Sequence, residues 1–270
     1  MSTRQPTFFI PHGGGPCFFM DTPPGLPPDM WNKMAAFLRG IPATLPEKPK
    51  AILVISGHWE ESVPTVNNAA HPTLLFDYYN FPPHTYQLTY PAPGDPPLAA
   101  RVQDLLRQAG FSTAAEDQRG LDHGVFIPFK VAFPEADIPV VQLSLVAGLD
   151  PALHEALGRA LEPLRDEGVL IIGSGMSYHN LRSFYAENQS REAAAAFDEW
   201  LVAASTNADP AVRGRLLAQW ATAPGGRHCH PREEHLIPLM VAAGAAGADR
   251  GEHVYTDHLL GKALSGFRFG

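Results

Sequence analysis

Short runs of apolar and β-branched residues, each bounded by turn-forming residues, recur along the chain and predict buried strands. These runs cover residues 7–10, 51–55, 138–145 and 169–172. Between and after them, apolar residues recur with helical spacing. The helical segments are residues 98–108, 152–164, 191–204, 211–219 and 233–245. The alternation predicts an α/β fold with a mostly parallel or mixed central sheet flanked by helices. We expect a single domain over residues 1–270.

Two stretches break this pattern and predict loops. Residues 22–28 are rich in proline, and residues 81–97 carry six more prolines. Proline lacks a backbone N–H and restricts the residue before it, so neither stretch suits a helix interior or a central strand. We expect both to run over the body of the domain rather than to link separate domains.

Histidines stand where the predicted strands end. His12 follows the first strand, His58 ends the second, and His179 follows the fourth, each with small residues close by. In α/β sheets, ligands bind in the crevice beyond the carboxyl ends of the strands. Glycine and serine let the backbone turn sharply and leave room for a metal or a substrate. The pattern favours convergence of these histidines at one site, and therefore an active site at the C-terminal strand ends.

Two further histidines are candidates for the same site. His235 comes after Pro231 in a segment whose acidic residues are typical of a helix start. Adjacent side chains on a helix point about 100° apart, so we expect only one of Glu234 and His235 to reach a given metal. His123 stands in a predicted tight loop beside Gly124.

Other chemistries fit the spacing less well. His12-Gly-Gly-Gly resembles the oxyanion loop of lipases, but the G-x-S-x-G segment that carries their nucleophile is absent. Zinc peptidases of the H-x-x-E-H type need two histidines one helical turn apart, whereas His230 and His235 are five positions apart. A soft-metal cluster of His228, Cys229 and His230 is a weaker alternative, because such residues ahead of a helix are more often merely exposed.

Composition narrows the classes of partner. The formal net charge is −8 and no run of Lys or Arg stands out, so we expect no nucleic-acid partner. No apolar stretch approaches the ~20 residues that span a bilayer, and the first residues lack the pattern of a signal peptide. Cys17 and Cys229 are far apart and predict free thiols in a reducing compartment. We therefore expect a cytoplasmic protein with no membrane partner.

Taken in order along the chain, these segments resemble the class III extradiol ring-cleavage dioxygenases (LigB-like), and within them the DOPA 4,5-dioxygenase-like branch. The resemblance covers nearly the whole length. The segments that carry it are His12-Gly-Gly-Gly-Pro16, Ser56-Gly-His-Trp59, Phe76-Asp-Tyr-Tyr-Asn-Phe-Pro82, Tyr90-Pro-Ala-Pro-Gly94, Leu121-Asp-His-Gly124, Asp137-Ile-Pro-Val-Val-Gln-Leu-Ser144, His179-Asn-Leu-Arg182 and Glu233-Glu-His235.

The resemblance implies roles for these residues. His12, His58 and His235 would hold one divalent metal ion, iron(II) for oxygenase activity or zinc(II), with no organic cofactor. His179 would be an acid–base catalyst or an additional ligand, and His123 a second catalytic residue that lines the substrate pocket. The wider superfamily uses two histidines and one glutamate, so Glu234 stays open as the third ligand. Many relatives have a single serine after the first glycine, where this chain has Gly14 and Gly15.

The activity that the resemblance implies is cleavage of a catechol-type ring with O₂ to a ring-opened semialdehyde. Its alternatives are a non-catalytic metal- or peptide-binding scaffold of the same fold and a zinc-dependent hydrolase. Trp59, Tyr178 and Phe126 are candidates for contact with a planar ring, although aromatic residues more often serve the core. Arg182 could meet a substrate carboxylate or pair with a helix carboxylate. A homo-oligomer is compatible with the sequence.

Overall fold

A single mixed sheet of eight strands forms the centre of the computed structural model, which describes residues 3–184 and 188–270. The apolar runs of the sequence supply its middle strands. The strands are β1 (Thr7–Pro11), β2 (Ala51–Glu61), β3 (Thr65–Asn67), β4 (Ala114–Glu116), β5 (Val140–Val146), β6 (Val169–Gly175), β7 (Gly251–Leu259) and β8 (Lys262–Phe269).

The strand order is β4-β3-β5-β2-β6-β1-β8-β7. The four middle strands, β5, β2, β6 and β1, run parallel, while β3 and β8 pair with this block antiparallel. Every residue of β1, β5 and β6 is buried. Parallel strands covered on both faces have this continuous apolar character, so the prediction of a mostly parallel or mixed sheet is confirmed.

Helices cover both faces of the sheet, and several begin with the same local signal. Asp95, Asp150 and Asp209 each accept backbone N–H bonds at a helix start, and a proline follows each. The helices are α1 (Asn32–Gly40), α2 (Pro96–Gln108), α3 (His123–Ala132), α4 (Pro151–Leu161), α5 (Pro163–Asp166), α6 (Asn188–Ser205), α7 (Pro210–Ala218), α8 (Gly226–Cys229) and α9 (Ile237–Ala245).

One helix start differs from the sequence prediction. The segment 233–245 was expected to be helical throughout, but α9 begins only at Ile237. All nine residues of α9 are buried, and the helix packs against α4 and the middle of the sheet. The acidic residues before it therefore form a turn that enters the helix from the carboxyl ends of β1, β2 and β6. Among the helices within residues 3–184 and 188–270, none has the length and apolar character that a membrane span requires.

Candidate metal centre

His12 leaves β1 directly into the core. Its backbone N–H donates to the Gly175 carbonyl at 3.2 Å, which holds it beside the end of β6. The side chain is 1% exposed, and neither ring nitrogen has a hydrogen-bond partner. Gly13 follows with φ +83°, a left-handed conformation that glycine adopts without strain. A buried imidazole with two unpartnered nitrogens is costly unless a further group binds it.

His58 lies within β2 and not at its end, since the strand continues to Glu61. The sequence prediction for this position was wrong by three residues. The pairing of β2 with β5 shifts register between Ile55 and Glu60. Such irregularities redirect side chains and are common beside active sites. Here the shift leaves His58 half-buried at the end of the parallel block.

His235 sits in the turn before α9, so the prediction that it lies on the helix was wrong. Its carbonyl accepts the backbone N–H of Met176 at 3.0 Å. A Cβ atom on Gly57 would lie 3.0 Å from the Glu234 carbonyl oxygen and 3.3 Å from the His235 Cα. Glycine at position 57 therefore allows this turn to pack directly against β2.

These elements bring the side chains of His12, His58 and His235 together. One ring nitrogen from each lies within 4.8 Å of the others. The Nε2 atoms of His58 and His235 are 3.2 Å apart. Burial, followed by the neighbouring imidazoles, lowers the pKa of His58 to about 3 and holds those of His12 and His235 well below their usual value. All three rings are therefore neutral at pH 7, the form that binds metals.

This donor set fits a divalent metal ion. Without a further group, the two ring nitrogens of His12 would be buried polar atoms without compensation. A metal ion supplies a partner shared with His58 and His235, and three histidines are a common protein contribution to a catalytic site with open positions. The chain therefore has a histidine-rich site that could hold a metal ion.

His179 and Glu234 flank the His12–His58–His235 group. The ring of His179 stacks on His235 with centroids 3.4 Å apart. Glu234 Oε1 lies 3.4 Å from His179 Nδ1 and 3.1 Å from His235 Nδ1. Burial raises the pKa of Glu234, but its hydrogen bond to His179 and nearby positive charge lower it overall. A carboxylate between two Nδ1 atoms favours N–H at both, leaving each Nε2 as an acceptor.

His123 lies against His58 and His12. It is the first residue of α3, and the tight loop expected there is a helix start. Its ring centroid lies 4.0 Å from that of His58 and 5.5 Å from that of His12. Asp77 Oδ1 accepts from the His123 backbone N–H at 3.0 Å and contacts its Nδ1 at 2.7 Å. The other oxygen, Oδ2, lies 3.7 Å from His58 Nδ1.

A buried polar network around Asp122 holds the backbone at His58 in place. Asp122, which is fully buried, accepts from Ser56 Oγ at 2.7 Å, Gln142 Nε2 at 2.5 Å and Arg119 Nη2 at 3.1 Å. Burial raises the pKa of the Asp122 carboxyl. Arg119 also donates to the His58 carbonyl at 3.0 Å. The network thus holds the irregular part of β2 in place.

These histidines form the base of a cavity of about 550 Å³. Much of its wall comes from residues 13–31, which include the proline-rich loop 22–28. Other wall residues follow β6. Apart from the histidines, the side chains that line it include Cys17, Met20, Asp21, Thr22, Pro23, Leu26, Met30, Trp31, Phe81, Met176, Tyr178, Leu181 and Phe184.

The remaining sequence candidates divide between the cavity and the rest of the fold. Tyr178 lines the cavity, whereas Trp59 and Phe126 pack in the core. Arg182 is exposed and is not part of the lining. In the described part of the chain, His228, Cys229 and His230 form no group that could share a metal ion.

The sequence did not predict two features of the site. Asp77 was noted only as part of the segment 76–82, with no role. The signal that could have identified it is an acidic residue among aromatic ones, in a stretch without strand or helix periodicity. The sequence also did not predict that residues 20–31 form part of the cavity wall. Methionine, leucine and tryptophan residues in this proline-rich stretch were the available signal.

Comparisons with known proteins identify the family of the chain. Residues 6–267 match the family described as the catalytic LigB subunit of aromatic ring-opening dioxygenase. The 4,5-DOPA dioxygenase extradiol of Beta vulgaris is 43% identical, with 89% of this chain and 87% of that protein covered. The dioxygenase tasH of Hapsidospora irregularis is 37% identical, covering 100% of this chain and 87% of the relative.

The same relationship holds at the level of structure. The crystal structure of an uncharacterized protein from Escherichia coli K12 matches with a TM-score of 0.78 and 29% identity, covering 99% of this chain and 100% of that one. The 4,5-DOPA dioxygenase extradiol of Escherichia coli K12 is 35% identical over 90% of this chain and 86% of its own length. The resemblance found in the sequence is therefore confirmed, and the chain belongs to the LigB family of aromatic ring-opening dioxygenases.

Proposed function

We propose that residues 1–270 form one catalytic domain, an extradiol dioxygenase that opens a catechol-type aromatic ring with O₂ to a ring-opened semialdehyde. The observation that carries the proposal is the convergence of three neutral imidazoles, two buried and one half-buried, at the base of an apolar cavity. Family membership and the names of the extradiol relatives support the reaction class.

His12, His58 and His235 are the residues that would hold the metal, which we propose to be iron(II) for oxygenase activity; zinc(II) suits the same donors. Bound iron(II) would supply Lewis acidity that favours the ionised diol, and the redox activity towards O₂ that zinc lacks. Glu234 is better placed to orient His235 and His179 than to replace a histidine, because its Oε1 faces the Nδ1 atoms of both.

His179 is the proposed general base for a substrate hydroxyl. With Glu234 at Nδ1, the Nε2 atom is left to accept a proton, and the ring lines the cavity. Imidazole is the side chain best suited to accept and return a proton near neutral pH. The stacking of His179 on His235 fixes the plane of the ring.

His123 is the proposed second proton-transfer residue. Asp77 binds its Nδ1 and thereby leaves Nε2 as the free nitrogen. The apolar side chains of the cavity walls lower the local dielectric, which strengthens hydrogen bonds to charge that develops on the substrate. His123 lies against His58 and His179 lies against His235, so the two proposed proton-transfer residues contact different members of the His12–His58–His235 group.

Oxygen consumption tests this function. The protein is loaded with iron(II) under anaerobic conditions and screened in an oxygen electrode against catechol, protocatechuate, DOPA and aminophenols, with products identified by mass. We expect O₂ uptake with formation of a ring-opened product. No uptake with any diol would favour a scaffold without turnover, and hydrolysis by the zinc form without O₂ would favour a hydrolase.

A variant separates catalysis from metal binding. His179→Gln should retain metal while turnover falls by about two to four orders of magnitude, the usual contribution of one proton-transfer group. Wild-type turnover in His179→Gln would remove this residue from the mechanism. Loss of the metal in the same variant would make His179 a ligand instead.

A further inference from the structure

The cavity above the histidines contains almost no charge. Within the described lining, no lysine or arginine is present, and Asp21 is the only acidic side chain. The walls are formed largely by apolar and aromatic side chains, among them Met20, Leu26, Met30, Trp31, Leu181 and Phe184. An anionic substituent of a bound substrate would therefore find no lysine or arginine among the described lining residues.

The cationic side chains nearest to the histidines are already engaged. Arg119 donates to Asp122 and to the His58 carbonyl. Arg232 pairs with Glu60 and lies 3.5 Å from Glu234. None of the described lining residues could therefore form the bidentate pair by which arginine binds a carboxylate.

The volume of the cavity leaves room for a substituent. About 550 Å³ falls inside the range of roughly 300–1,000 Å³ that accommodates drug-sized ligands. A bare diol ring occupies only part of that space. The loop that carries Met20, Leu26 and Met30 supplies flexible side chains that can adapt to the shape of an apolar group.

We propose that this cavity selects catechols whose ring substituent is uncharged and apolar, and that it discriminates against a substituent bearing a carboxylate. The inference rests on the proposed function and names the substrate class of that site. Its physical basis is that a carboxylate moved out of water without a cationic partner loses its hydration uncompensated. An alkyl or aryl group gains from the same transfer.

Matched substrate pairs test the proposal on the iron-loaded protein. 4-Propylcatechol and dihydrocaffeate have side chains of equal length, and dopamine and L-DOPA differ by one carboxylate. We expect kcat/KM to be about tenfold or more higher for the member without the carboxylate in each pair. Equal or higher values for dihydrocaffeate and L-DOPA would overturn the proposal.

Binding to the metal-free protein gives a second readout. Trp31 lines the cavity, so quenching of tryptophan fluorescence reports occupancy without turnover. The dissociation constant should be lower for the member without the carboxylate in each pair. If no diol is opened but the binding order holds, the proposed reaction fails while the selectivity stands. If diols are opened and carboxylates bind more tightly, the selectivity fails alone.

A variant that introduces a cation should weaken the preference against the carboxylate. Leu181 is 69% exposed at the rim, so Leu181→Arg is compatible with folding and should narrow the ratio within each pair several-fold. Tyr79→Arg is the matched control, because Tyr79 is 79% exposed and outside the lining, and its ratios should stay at the wild-type values. Arg182→Ala should change neither ratio, and a ratio that rises in this variant would show that Arg182 reaches the substrate carboxylate.

Discussion

Asp77 fixes the orientation of His123 through one oxygen, Oδ1, which lies 3.0 Å from the backbone nitrogen and 2.7 Å from the ring Nδ1. Burial raises the pKa of Asp77, but the hydrogen bond and charge of His123 lower it overall. An ionised carboxylate only accepts hydrogen bonds, so Nδ1 of His123 must carry a proton. Nε2 is then the acceptor in the neutral ring.

Replacement of Asp77 by asparagine should remove the constraint on the tautomer of His123. An amide can donate as well as accept, so the tautomer of His123 is no longer fixed. We expect Asp77→Asn to lower kcat by about 10- to 100-fold, the usual effect of removing a group that orients a histidine at a metal site. Nitrogen-15 NMR of the histidine rings checks the tautomer, and an unchanged kcat with a mixed tautomer would exclude this role.

Replacement of His12 should change stability and metal binding in opposite directions. Both of its ring nitrogens are buried without a partner. Replacement by leucine removes these unpaired groups at similar volume. We expect His12→Leu to abolish metal binding and to raise the free energy of unfolding of the metal-free protein by about 1–3 kcal/mol. Urea denaturation in EDTA measures the change, and a marked loss of stability would show that the ring has a structural partner.

Gly124 allows α3 to approach β2. A Cβ at this position would lie 2.9 Å from His58 Cδ2 and 3.1 Å from Asp122 Oδ1, and would clash with Ser56 Oγ. We expect Gly124→Ala to cost about 1–3 kcal/mol of stability and to weaken metal binding, because His58 must move. Gly40→Ala is the control, since no atom lies within 4 Å of its added Cβ. Equal behaviour of the two variants in denaturation and metal titration would contradict this explanation.

The buried histidines predict a pH dependence of stability in the metal-free protein. His58 has an ordinary pKa of 6.5 when unfolded and a pKa of about 3 when folded, because of burial. Between these values the unfolded chain binds more protons, so the free energy of unfolding decreases as the pH falls. The slope should be about 1.4 kcal/mol per pH unit from His58 alone.

Denaturation curves between pH 4 and 6.5 in EDTA check this slope. His58→Gln should reduce it by the contribution of one group, whereas replacement of the exposed His71 by glutamine should leave it unchanged. A slope that is identical in His58→Gln and the wild type would show that His58 is protonated in the folded state.

The sequence predicted those parts of the fold that depend on local patterns. The four parallel strands are continuous apolar runs, and the histidines after β1 and β6 were identified because each follows such a run. The hairpin of β7 and β8 was not predicted, because β7 has charged residues and an irregularity between His253 and Tyr255 that disrupts its alternation.

The parts of the site that depend on tertiary contacts could not be predicted. His58 was placed at the end of its strand, because the extension of β2 depends on its shifted pairing with β5. The acidic residues before α9 are typical of a helix start, but their turn packs against Gly57. Asp77 reaches His123 from 46 positions away.

The metal content of the purified protein tests the central claim that His12, His58 and His235 share one ion. The wild type and single-alanine variants are equilibrated anaerobically with iron(II), dialysed and measured by inductively coupled plasma mass spectrometry. We expect one ion per chain in the wild type and in Glu234→Gln, and almost none in any of the three alanine variants. One ion per chain retained in His12→Ala, His58→Ala or His235→Ala would contradict the assignment of that residue as a ligand.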